Sequence, residues 1–282
     1  MRAANTQAIV FNAAAVVVGL GALVGIGRLM LAPSTVVPCG ERNENTMTFR
    51  VEQEGAVFSA ADILERVGHT SVGVIENLDV VRPRDTRIPA AMRVMLRDGP
   101  GPAGRTTERN AGVAFPWEPR SIQKQGTACL SYKVFFEGDL DFHNGGTLPG
   151  IQGRDQSQQA QDEFVSHVVW REDGLPGVSL SVTAGGTTQV VAFESRLPFP
   201  KGRWIRIDKE VTLNTPGQDN GILRVWFDGA LAIEKTNVAY RSKPDVILTG
   251  VMGDVHYGSV HATAWAPSET TIWVSPFEIS WR

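Results

Sequence analysis

Side chains able to move protons or hold carboxylates gather in three stretches of this 282-residue chain: Phe142 to Arg171, Ser179 to Ser181, and Asp254 to Gly258. His167 leads the set, because an imidazole serves as base, acid or cation near neutral pH. Alternation places it on one strand face with Arg171 and, across a hairpin turn, on the face of Ser179 and Ser181. A hydrogen-bonded sheet histidine fits the same pattern. His143, beside Gly145 and Gly146, reaches such a groove from its rim, and Asn144 is suited to hydrogen-bond a carboxylate; both also suit plain turn formation. Arg171 and Arg154 bring the planar fork that grips carboxylates. In Asp254-Val255-His256-Tyr257-Gly258 neighbours face opposite ways, so only one of His256 and Tyr257 lines a groove. Tyr257 is taken as the proton donor or stacking ring, with burial in the core as the competing reading.

The elements that must position these groups are strands. Leu130, Tyr132, Val134 and Phe136 alternate with Ser131, Lys133 and Phe135; Phe164, Ser166, Val168 and Trp170 alternate with Val165, His167 and Val169. Val178, Leu180 and Val182 oppose Ser179, Ser181 and Thr183, a half-buried strand with a small polar outer face. Asp228-Gly229 between two apolar alternations predicts a tight hairpin. Ala60 to Val67 suits one short helix, and no longer helical period follows it. Many strands with frequent turn signals predict an all-β fold, a concanavalin-like jelly-roll β-sandwich.

The segment Phe142-His143-Asn144-Gly145-Gly146-Thr147-Leu148-Pro149-Gly150-Ile151 carries a resemblance. So do Leu130-Ser131-Tyr132-Lys133-Val134-Phe135-Phe136, Val169-Trp170-Arg171-Glu172-Asp173-Gly174, the stretch Gly221 to Gly229, and Tyr257-Gly258. In this order they resemble polysaccharide lyases of family 14, which cut alginate and related polyuronates, and the resemblance runs from about Met47 to Arg282. It implies β-elimination: a base removes the C5 proton of a uronate, a cation or amide neutralises the carboxylate, and an acid protonates the departing oxygen. It also implies a lysine in the Gly-Gly-Lys loop, a Ser-x-Arg pair on the next strand and a Tyr-x-Tyr pair on the one after. Those positions hold Thr147, then Val165 and His167, then Ser179 and Ser181, so none of the five is retained. The resemblance therefore implies a frame with a rearranged residue set. In that set His167 is base or neutraliser, Tyr257 or His143 the acid, Arg171 and Arg154 the carboxylate holders, and Asn144, Thr147, Ser179 and Ser181 the further substrate contacts.

From Ala8 to Gly27 only Asn12 interrupts an apolar run, long enough to cross a bilayer. The expected order is a short N-terminus (1–7), a single transmembrane anchor (8–32), a linker (33–46) and the sandwich (47–282), the last outside the cytoplasm. A cleaved signal peptide is the alternative. The net charge of −3 makes no field that would gather nucleic acid. Cys39 and Cys129 either bridge or stay free, and their spacing suggests no metal site. No nucleotide loop, zinc spacing or serine-hydrolase elbow is present, so neither metal nor cofactor is expected. The expected partners are an acidic polysaccharide and, through the N-terminal helix, a membrane. The expected function is a membrane-anchored lyase acting on a uronate-containing polysaccharide; the alternative is a lectin-like module that binds such a chain without cutting it and assists exopolysaccharide assembly or export.

Overall fold

Alternation becomes two antiparallel sheets in the computed structural model, which describes residues 36–68, 70–85, 87–97, 112–123, 125–143, 145–157, 162–195, 198–259, 262–263 and 268–282. The expected transmembrane segment 8–32 lies outside these residues, as do the short N-terminus 1–7 and Asn144. No helix among the described residues is long and apolar enough to cross a membrane. Val37–Arg282 forms one compact unit.

The first sheet has the order β15 (Ala230–Val238), β14 (Gly221–Phe227), β13 (Trp204–Thr212), β8 (Thr127–Phe136), β19 (Thr270–Val274), β5 (Ala91–Leu96) and β4 (Leu78–Val81). Beside β8 it adds β20 (Glu278–Trp281), which pairs with β1 (Asn45–Thr48). The second sheet runs β12 (Thr187–Glu194), β11 (Pro176–Ala184), β10 (Glu163–Trp170), β9 (Gly146–Asp155), β16 (Val246–Met252) and β7 (Pro116–Trp117). Attached to it are β17 (Val255–Ser259), β6 (Gly112–Val113) and β18 (Ala262–Thr263); β2 (Glu52–Gln53) and β3 (Ala56–Val57) form a separate ribbon. The predicted hairpin joins β14 to β15, with Asp228 and Gly229 at φ 49 and 83, the two positive values of a type I′ turn.

The core lies between the sheets. Leu130, Tyr132, Val134 and Phe136 face it from β8, and Phe164, Val168 and Trp170 from β10. Trp170 packs edge-on against Phe136 at 5.9 Å and Tyr257 at 5.6 Å. The predicted helix is α2 (Ala60–Val67), begun by a Ser59–Asp62 capping box; it follows α1 (Cys39–Arg42) and precedes α3 (Val74–Asn77).

The segment expected as linker belongs in part to the fold. Cys39 is disulfide-bonded to Cys129 of β8, Arg42 pairs with Glu210 of β13 at 2.9 Å, and Asn45–Thr48 hydrogen-bonds to β20. The physical reason is that α1 is seated on the outer face of the first sheet, where a Cβ on Gly40 would come within 2.4 Å of the Ser131 hydroxyl.

Candidate functional site

The Leu148-Pro149-Gly150 motif is the centre of β9 and carries a bulge: His167 of β10 stands opposite Gly150, Val168 opposite Leu148, and Pro149 has no partner. Pro149 has no N–H to give, so a bulge is where a sheet accepts it. Gly150 lets β10 come close, since a Cβ there would meet the Ser166 carbonyl oxygen at 2.2 Å and His167 Cα at 2.8 Å. Alternation along β10 sets His167 on the outer face with Val165 and Val169, directly across from Ser179, while Val165 faces Ser181; the bulge puts Gly150 beside it on β9.

His167 is 1 % exposed. Its Nε2 lies 3.1 Å from Asp254 Oδ2, an ion-pair distance, yet neither ring nitrogen meets hydrogen-bond geometry and Asp254 Oδ1 has no hydrogen-bond partner among the described residues. Asp254 and His256 line a cleft of about 390 Å³, together with Gln152, Arg154, Val165 and Glu118. His167 therefore sits behind the cleft wall and reaches the cleft through Asp254.

His256 presents the imidazole to the cleft. Its Nδ1 lies 2.9 Å from the Tyr257 carbonyl oxygen, which can only accept, so Nδ1 carries the proton and Nε2 keeps a lone pair. Burial lowers its pKa below the ordinary 6.5, and His167 nearby works the same way, against the smaller opposing pull of Asp254 and the Tyr257 carbonyl. Tyr257 points the other way. It is fully buried, its ring packs on Trp170 and its hydroxyl donates to the Asp141 carbonyl, so strand alternation puts it in the core and not in the groove. Burial first, and then the charge of Asp141, raise its pKa well above that of a free phenol.

The other expected contacts divide between two places. Arg154 is an exposed guanidinium at the 390 Å³ cleft, ion-paired with Glu118, whose other oxygen accepts from Gln152 at 2.9 Å. Arg171 and Ser179 line a separate cleft of about 590 Å³ with Gly145, Gly146 and Val169; Arg171 is ion-paired with Glu194. The two clefts are ~13 Å apart, since Val165 and Val169 lie four strand residues apart. Ser181 is half-buried on β11, opposite Val165 at the end nearer the first cleft, and lines neither. Thr147 offers nothing to either: it is fully buried, and its hydroxyl donates to the Gly258 carbonyl at 3.1 Å because β17 lies alongside. His143 is exposed in the turn before β9, where its backbone N–H donates to Asp141 Oδ1 at 2.9 Å. Residue patterns missed Glu118 and Gln152. Gln152 was open to discovery, since it shares the His167 face by alternation along β9; Glu118 arrives from a distant segment that carries no local signal.

The family model for polysaccharide lyase 14 matches residues 86–275. No curated protein sequence matches the chain. Among solved structures, a marine PL-14 alginate lyase from Aplysia kurodai superposes with a TM-score of 0.65 at 19 % identity, covering 84 % of this chain and 98 % of that one. An alginate lyase from Chlorella virus gives 0.59 at 15 % identity, over 75 % and 91 % of the two chains. An endo-β-1,4-glucuronan lyase from the fungus Trichoderma reesei gives 0.58 at 11 % identity, over 85 % and 96 %. At these identities the superpositions establish a shared sandwich fold.

Proposed function

From the premise that this chain belongs to the polysaccharide lyase 14 family, we propose that it cleaves an acidic, uronate-containing polysaccharide by β-elimination, with a proton-transfer set of its own. The observation that carries the reading is the His256–Asp254–His167 group at the cleft: a neutral imidazole with a free lone pair, backed by a carboxylate and a second imidazole. In this reading His256 Nε2 takes the C5 proton and, once protonated, returns it to the departing oxygen, while the electron pair of the broken C–H bond forms the new double bond. Arg154 holds the carboxylate whose charge grows as that proton leaves. His167 acts through Asp254, whose carboxylate it holds in place from behind at 3.1 Å.

The reading includes a protein held at a membrane by residues 8–32, with the sandwich outside the cytoplasm. Its support is the apolar run at Ala8 to Gly27 and the Cys39–Cys129 disulfide, a bond that persists in oxidising compartments.

The test is to incubate the full chain with alginate and with glucuronan and follow the ultraviolet absorbance of unsaturated ends. Product should form from at least one polymer, and His256→Ala should slow it by ~100-fold or more. His167→Ala should slow it less and shift the pH profile. A second reading is a lectin-like module assisting exopolysaccharide assembly or export, favoured by the turning of Thr147 toward Gly258 where the family resemblance implies a lysine. Retained binding with no product from either polymer would select it.

A further inference from the structure

We infer that the outer face of the first sheet, on the opposite side of the sandwich from the clefts just described, carries a second binding site for an acidic saccharide chain. The ligand class rests on the reading above; the site itself rests on geometry. Three adjacent strands bring matching residues to this face: Lys133 stands opposite Arg206, Phe135 opposite Trp204, and Trp273 beside Phe135. All are partly exposed, and the three adjacent aromatics make a contiguous apolar patch at outward positions.

Two adjoining cavities occupy the face, about 800 Å³ and about 670 Å³, and Arg87 belongs to both. Pro83, Arg84 and Asp85 line the smaller, and Ile88 and Pro89 the larger. The smaller is aromatic. Phe135 and Trp204 are 5.6 Å apart and tilted, and Trp273 is held by its Nε1–H donated to Glu137 at 2.8 Å. Half-exposed indoles fixed this way offer an apolar surface to the C–H face of a sugar ring. The larger is lined by five cations, Arg50, Arg66, Arg87, Lys133 and Arg206, against three carboxylates, Glu52, Glu54 and Glu278. Lys133 and Arg50 have no ion-pair partner among the described residues, Arg66 lies 4.0 Å over the Phe58 ring, Arg206 is held by Asp208 at 2.8 Å and Arg87 by Asp85 at 2.7 Å.

A uronate chain presents the same alternation of apolar ring faces and carboxylates. Along β8, Phe135 and Lys133 are ~7 Å apart, close enough for one sugar to stack on the indoles while a neighbouring carboxylate meets the ammonium. At the other end of the face α1 and its disulfide cover the sheet, which closes the site on that side.

The test is calorimetric titration of the intact chain with oligoglucuronate and oligomannuronate. The expected stoichiometry is two oligosaccharides per chain, falling to one in Trp204→Ala/Lys133→Gln with turnover of short oligomers unchanged. Lys133→Gln alone, a surface change that spares the fold, should weaken the second site by ~10-fold and reduce its salt dependence. His256→Ala should leave this site intact. Wild-type stoichiometry and affinity in the double variant would overturn the proposal, as would equal binding of a neutral cello-oligosaccharide or no binding by the wild-type chain. If the lyase reading alone fails, no polymer yields product, yet the binding lost in Trp204→Ala/Lys133→Gln persists in the wild type.

Discussion

His256 and Tyr257 are neighbours with opposite fates, and one peptide unit connects them. The Tyr257 carbonyl fixes the His256 tautomer while the Tyr257 ring is packed into the core on Trp170. His256 titrates below 6.5 in the fold, so below that pH the unfolded chain binds a proton that the folded chain refuses. Its contribution to stability is therefore lost as pH falls through 6.5 toward the folded value. Urea unfolding of the wild type and His256→Gln from about pH 7.5 to about pH 5 measures this, and the variant should show the shallower acid decline. Parallel curves for the two proteins would contradict the assignment. His167 and its contact with Asp254 were only half legible: alternation gave the histidine its face, but Asp254 lies 87 residues away in sequence and its approach depends on β17 docking against β9.

At the scale of elements, β9 and β13 carry the departures from simple patterning. The Pro149 bulge in β9 shifts the pairing with β10 by one residue, which no period-two reading anticipates. On β13, Ile205, Ile207 and Val211 face the core, and alternation sends Lys209 there as well. Lys209 is fully buried, its Nζ donates to the Ser166 carbonyl of β10, and desolvation lowers its pKa well below 10.5. The folded chain thus holds this proton more weakly than the unfolded chain does, so the group disfavours folding increasingly as pH falls below 10.5. Lys209→Met keeps the volume and removes the desolvation cost. It should raise stability by ~1 kcal/mol or more, with a larger gain near about pH 6 than near about pH 9. Urea midpoints at the two pH values check this; a Met variant less stable at both would mean that the bond to Ser166 outweighs the burial.

For the molecule as a whole, the Cys39–Cys129 bridge is the long-range tie. It spans 90 residues and holds α1 to the first sheet, where Arg42 bridges to Glu210 and lies 5.8 Å over Trp226. Closing so long a loop removes conformations from the unfolded chain, so Cys39→Ser/Cys129→Ser should lower the unfolding free energy by ~2–5 kcal/mol. Reduction of the wild type with dithiothreitol should lower the urea midpoint similarly; an unchanged midpoint in both would mean that α1 is held by packing alone.

Taken alone, the sequence determined the all-β class, the inward and outward faces of the long strands, the Asp228-Gly229 turn, α2 and the family resemblance. These are local or periodic properties, and a two-residue repeat or a turn dipeptide is readable without knowing what lies across the sheet. Only the tertiary structure decided that the two cysteines pair, that His256 and not Tyr257 faces the cleft, that Thr147 turns to a neighbouring strand, and that Arg154 and Arg171 serve different clefts. Each of those outcomes depends on strand order, register and one bulge, which bring together residues tens of positions apart and leave no local mark in the chain.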